Sequence, residues 1–191
     1  MIHWVSGNDP ASLPGDPCLP ARLFALPWAP AGQYGRAGFH QEIAMYGALL
    51  LLHLFAATIW TGGHIVLATV VLPKVLKARS PALLLDFESG YERIGMPALI
   101  VQIATGLMLA HQMVPDPAQW FNLANPLSHP ILAKLGLLAA TLAFALHARL
   151  RVIPNLTEKT LTTMAWHIIP VTIISVLFVV VGVSFRTGWL Y

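Results

Sequence analysis

The chain has 191 residues, 57% of them hydrophobic and 10% charged, with a formal net charge of +3 and a mean hydropathy of +0.68. Soluble globular domains carry about a quarter charged residues, so this composition excludes one and describes a membrane protein. The basic residues are split between two loops with no basic–aromatic module, which excludes a nucleic-acid site.

Residues 1–41 hold Pro10, Pro14, Pro17, Pro20, Pro27 and Pro30 and no apolar run that could serve as a signal-peptide core. Such a stretch is expected to be irregular. Two readings compete: an extracytoplasmic tail that folds over the bundle through Trp4, Phe24 and Trp28, or translation that begins at Met45. Cys18 is the single cysteine, so it forms no internal disulfide and builds no thiolate cluster. His3 and His40 fall in the tail and carry no signal.

From residue 42 onward, four apolar segments are long enough to cross a bilayer, at about 43–72, 94–113, 131–150 and 167–186. Short connections make sequential neighbours antiparallel, so the expected fold is all-α: an integral membrane four-helix up-down bundle in contact with lipid. Lys134, near the start of the third segment, is expected to snorkel to the interface. Lys74, Lys77, Arg79 and Arg93 lie between segments one and two, and Arg149, Arg151 and Lys159 between three and four. The connection from Val114 to Pro130 has neither Lys nor Arg. The positive-inside rule then puts the basic loops in the cytoplasm and both termini in the periplasm of a bacterial inner membrane.

Histidines are the chemistry-bearing residues. His53 and His64 sit in the first segment, where polar side chains face a partner, a cavity or a cofactor. At 100° per residue they return to within about 20° of one another, about 16 Å apart along the axis, with Trp60 between them on the same stripe. By depth, His53 groups with His111 or His129 at the outer side, and His64 with His147 or His167 at the inner side. That layout suits imidazoles from facing helices that ligate a cofactor at one or two levels. Ala133, Gly136, Ala140, Ala143 and His147 form a stripe of small residues, read either as a packing seam or as a bed for a flat macrocycle. Gln102 is expected to hydrogen-bond between helices. Asp86, Glu88 and Glu92 are expected to pair with Arg79 or Arg93.

The run Trp60-Thr61-Gly62-Gly63-His64 after His53, then Leu72-Pro73-Lys74, resembles the first helix of copper-resistance protein D (CopD-like) membrane proteins. Phe87 to Pro97 resembles their first cytoplasmic loop. His167 with Pro170-Val171-Thr172, and the ending Gly182 to Gly188, are similar to their last helix. A more distant resemblance is to the HemJ type of four-helix heme protein, where a first-helix His precedes a Trp at the spacing of His53 and Trp60. Lys134-Leu135-Gly136 running on to His147 is similar to that family's third helix. Gly63-His64 and His167 depart from its pattern, which puts its oxidase activity in doubt and leaves heme binding open.

Three functions follow, in this order. The first is a b-type heme protein that moves electrons between a quinone or periplasmic partner and an acceptor, with His53, His64, His147, His167 and His111 as cofactor-binding candidates. The second is copper handling, with His53 and His64 as metal ligands alongside methionines such as Met45, Met96, Met108 and Met113. The third is a structural subunit whose histidines make interhelical hydrogen bonds, with room for a homo-oligomer. No nucleophile–base pair, phosphate loop or carboxylate dyad appears, so enzymatic activity is left undecided.

Overall fold

The computed structural model describes residues 36–190. The tail up to residue 35, with Cys18, His3 and the three aromatic residues named above, lies outside the described residues. Helix α1 (Arg36–Val66) starts inside the stretch read as tail and passes through a π-helical turn (Leu67–Val71) into α2 (Leu72–Ala78). Helix α3 (Pro81–Met113), α4 (Ser128–His147) and α5 (Leu161–Thr187) complete the set. Four continuous rods, His40–Ala78, Pro81–Met113, Ser128–Asn155 and Glu158–Thr187, are long and apolar enough to cross a membrane. With no strand among the described residues, the fold is an all-α membrane bundle.

The helices outrun the apolar spans. The stretch read as a loop between segments one and two is helical from Pro81, so the connection shrinks to Arg79 and Ser80. Hydropathy marks where a helix meets hydrocarbon and says little about where it ends. The corner is made by Arg79, which adopts a left-handed conformation at φ 50° and donates its N–H to the Val75 carbonyl. Pro81 then sits at the start of α3, where its missing N–H costs nothing.

Both π turns precede a proline. Leu67–Val71 is followed by Pro73, and Ala148–Val152 by Pro154. A proline in a continuing helix removes one donor and clashes with the carbonyl four residues back. Widening the preceding turn relieves that clash: Leu72 N–H reaches Leu67 O, and Ile153 N–H reaches Ala148 O, each five residues back. Pro97 and Pro170 sit inside α3 and α5.

Helix α1 packs against α3 on one side and α5 on the other, and α4 packs against α5; α3 and α4 stay apart. Hydroxyls tie α1 to α5. Thr61 Oγ1 donates to Ser175 O at 3.2 Å, and Thr172 Oγ1 to His64 O at 3.1 Å. Ser175 and Ser184 are fully buried. Such bonds average about 0.6 kcal/mol in membranes, so close packing of small side chains contributes beside them. At the basic end, Leu72, Val75, Leu84, Val152, Leu161, Met164, Ala165 and Ile168 form the tightest apolar cluster. At the opposite end the connection from Val114 is pinned by Trp120 Nε1 donating to Val114 O at 2.8 Å and by Ser128 Oγ donating to Gln119 O at 2.6 Å.

Candidate functional site

The gap between α3 and α4 holds a cavity of about 160 Å³ in the half of the bundle away from the basic end. Its walls are mostly aliphatic and aromatic. His53 and Trp60 reach it from α1, Gln102 and Met113 from α3, Lys134 from α4 and Phe185 from α5, with Trp120 of the connection at its mouth. Of the methionines considered as soft ligands, Met113 shares the cavity with His53, while Met45, Met96 and Met108 are exposed on the outside of the bundle.

His53 is fixed by its Nδ1 nitrogen. Thr105 Oγ1 donates to Val101 O at 2.6 Å, which commits its proton, and its oxygen then accepts from His53 Nδ1–H at 2.9 Å. A neutral imidazole that donates from Nδ1 keeps a lone pair on Nε2. Gly106 makes the pairing of α1 with α3 close enough, since a Cβ there would lie 3.1 Å from His53 Cε1.

His64 is held the same way one level deeper. Its Nδ1–H donates to Trp60 O at 2.9 Å, and its side chain is buried. The Trp60 ring lies 4.3 Å away and the Tyr91 ring meets it edge-on at 6.0 Å. Tyr91 donates its hydroxyl to Ile59 O and Trp60 O, both at 3.1 Å. Gly63 has no side chain because the Tyr91 ring occupies that space.

The expected outer and inner groups form differently. His147 and His167 meet each other, with Nδ1 of His147 2.7 Å from Nε2 of His167, while His64 keeps its ring against Trp60 and Tyr91. His111 is exposed, and His129, in the first turn of α4, donates Nε2–H back to Leu123 O of the connection at 3.0 Å. Among the described residues no three His, Cys, Asp or Glu side chains gather as a ready-made metal cage.

Three polar residues depart from the sequence reading. Lys134 turns into the bundle, its ammonium 5.3 Å from the Phe185 ring centroid, because Gly182 leaves room beside it. Gln102 Oε1 is buried without a hydrogen-bond partner and its residue lines the cavity. Glu92 pairs with Arg149 across helices at 3.6 Å, where Arg79 or Arg93 was expected. No signal in the sequence foretold the Lys134 placement; the Gly182 opposite becomes meaningful once α4 and α5 are known to pack.

No match to the chain is found among curated proteins or solved structures. A family model does match, over residues 85–185, and its description is copper resistance protein D. That stretch runs from the first turns of α3 to the end of α5 and covers more than half of the chain. The chain therefore belongs to the copper resistance protein D family, as a multi-pass membrane member.

Proposed function

We propose that the chain handles copper in a bacterial cytoplasmic membrane, offering imidazole nitrogens to the ion inside the bundle, with its basic corners on the cytoplasmic side. The observation that carries this reading is shared by His53 and His64. Each spends Nδ1–H on a protein acceptor, Thr105 Oγ1 or Trp60 O, and so keeps Nε2 as an oriented lone pair. Metal-ligating histidines are commonly held by that second hydrogen bond, and imidazole and thioether both suit Cu(I). Met113, about 10 Å farther along α3 than the residues that face His53, adds a thioether to the lining of the same cavity. The two nitrogens stand at different depths on one helix, which suits stepwise passage of an ion better than a closed storage cage.

The test is copper tolerance and copper retention in the same strains. A deletion strain is expected to change its copper sensitivity, and His53→Ala and His64→Ala are expected to reproduce that change while the protein still inserts. Unaltered tolerance after deletion would refute the reading.

A second reading, heme b with a quinone or periplasmic redox partner, is favoured by one observation: Lys134 lines the cavity that His53 faces. An ammonium there opposes a bare cation and welcomes a carboxylate. Apolar walls, one imidazole and one ammonium have the chemistry of a site for a macrocycle that carries acid groups, but about 160 Å³ is the room of a benzene-sized molecule, so α3 and α4 would have to part to admit one. His53 would hold the iron and Lys134 a carboxylate, and the heme would supply one-electron transfer. A reduced-minus-oxidised absorbance spectrum, with heme and copper quantified on one sample, separates the two readings. We rank copper first, a choice that the family match supports.

A further inference from the structure

We propose that His147 and His167 form a two-imidazole site for a single Cu(I) ion at the basic end of the bundle, separate from His53 and His64. The choice of ion rests on the copper reading above; the site itself rests on geometry.

His147 closes α4 and His167 stands on α5, two helices that pack side by side. The ring planes differ by 4° and the centroids are 4.9 Å apart. That separation exceeds the 2.7 Å between Nδ1 of His147 and Nε2 of His167 by about the two ring radii. The rings therefore lie edge to edge in nearly one plane, with the two nitrogens aimed at each other. A face-to-face stack would bring the centroids closer.

The protons follow from the partners. His167 Nδ1 lies 2.9 Å from Thr163 O, and a carbonyl only accepts, so His167 carries its proton on Nδ1 and a lone pair on Nε2. His147 then donates Nδ1–H into that lone pair. When Cu(I) enters, the His147 proton moves to Nε2, which frees Nδ1 as the second ligand without net proton release. Both imidazoles stay neutral. With metal–imidazole bonds of about 2 Å, in-line coordination opens the nitrogen pair to about 4 Å, along the axis on which the rings already face. A d10 ion such as Cu(I) tolerates two collinear donors, and imidazole suits it.

The surroundings suit a transfer point. Phe144 steadies His167 edge-on at 5.9 Å, and Ala143 leaves the pair in a shallow recess. His147 is exposed, so a third ligand from outside can reach the ion. Arg149, the nearest cation along α4's continuation, is drawn toward Glu92 at 3.6 Å. A hydrogen bond between exposed side chains contributes only about 0.5–1.5 kcal/mol, so fold stability gives little reason for aligning the two rings.

The experiment uses the full chain in mild detergent, with Cu(I) kept reduced and partitioned against a Cu(I) chelator of known affinity. The His53→Ala/His64→Ala double variant is expected to retain one equivalent, with an X-ray absorption spectrum of a low-coordinate, nitrogen-only ion. Adding His167→Ala, or His147→Gln as a milder change, is expected to remove that equivalent at unchanged helix content. If His147→Gln and His167→Ala keep every equivalent while the double variant loses all, the site is refuted and the copper reading stands. If the wild-type chain holds no Cu(I) against the chelator, both fall.

Discussion

The ring of Tyr91 fills the space that a side chain at Gly63 would take, and its hydroxyl reaches the Trp60 carbonyl that also receives His64 Nδ1–H. One aromatic residue of α3 thus sets both the approach of α1 and the surroundings of the deeper histidine. Gly63→Ala is expected to push Tyr91 aside and destabilise the protein by about 1–3 kcal/mol, the usual cost of overpacking. Gly62, with no neighbour near its Cβ position, provides the contrast. Gly62→Ala is expected to be neutral or to stabilise by up to about 1 kcal/mol through helix propensity. Thermal unfolding of both variants in detergent, followed by circular dichroism, checks the pair; equal losses would contradict the packing at Gly63.

Thr105 is the residue that orients His53, since its oxygen accepts the Nδ1 proton. Thr105→Val is expected to leave the bundle folded but to let the ring turn, weakening whatever ion or cofactor His53 holds by about 10–100-fold, as for other residues behind a metal ligand. Thr105→Ser is expected to behave as wild type. Equilibrium Cu(I) competition and heme quantification on the same preparations report the change. An unaltered affinity in Thr105→Val would show that His53 does not depend on this bond.

The sharp corner between α2 and α3 rests on Arg79 in a left-handed conformation at φ 50°. A non-glycine residue pays about 1–2 kcal/mol for that region, part of which glycine returns through its own greater freedom when unfolded. Arg79→Gly is therefore expected to raise stability, by up to about 1 kcal/mol. A lowered melting temperature would mean that the guanidinium makes a contribution larger than the backbone term.

Arg149 and Glu92 form an ion pair at 3.6 Å with side chains 61% and 45% exposed. Water and salt screen such a pair, so Glu92→Gln is expected to cost less than about 1 kcal/mol. The small loss should fade as salt rises to about 1 M, where the Debye length falls to about 3 Å, below the separation of the pair. A loss well above that figure would show that the pair is more enclosed than its exposure indicates.

The sequence made the four membrane rods legible because a long apolar run has few other uses, and it placed His53, Trp60 and His64 on one stripe because helical periodicity is fixed. The partners of that stripe were not legible. Periodicity gives the face of a helix and leaves open which helix it meets, so Thr105 and Tyr91 were not foreseen as the residues behind His53 and His64. Depth alone grouped His64 with His147 or His167, whereas the packing of α4 on α5 joins the latter two to each other. The small-residue stripe on α4 reads differently in three dimensions: Gly136, Ala143 and His147 are exposed, and nothing lies near the Cβ position of Gly136. Charge pairing failed for a related reason. Arg149 is far from Glu92 in sequence and is brought to it by the fold.

The two π turns have a consequence for how this chain tolerates length changes. Each turn is a single residue more than an α-helix needs over the same rise, so each is a built-in spacer in the register of its rod. Removing one residue from Leu67–Val71 would take out the spacer and restore ordinary helical winding with the residues beyond it facing as before, whereas a second removal would find no spacer left and would rotate them by about 100°. After that second removal Leu72 and Val75 would swing out of the cluster they share with Leu84 and Ile168, although hydropathy and span length would hardly change. The first rod is thus expected to accommodate the loss of one residue at Leu67–Val71 and not of two, and a one-residue gap there leaves the side chains between it and the Arg79 corner facing as they do.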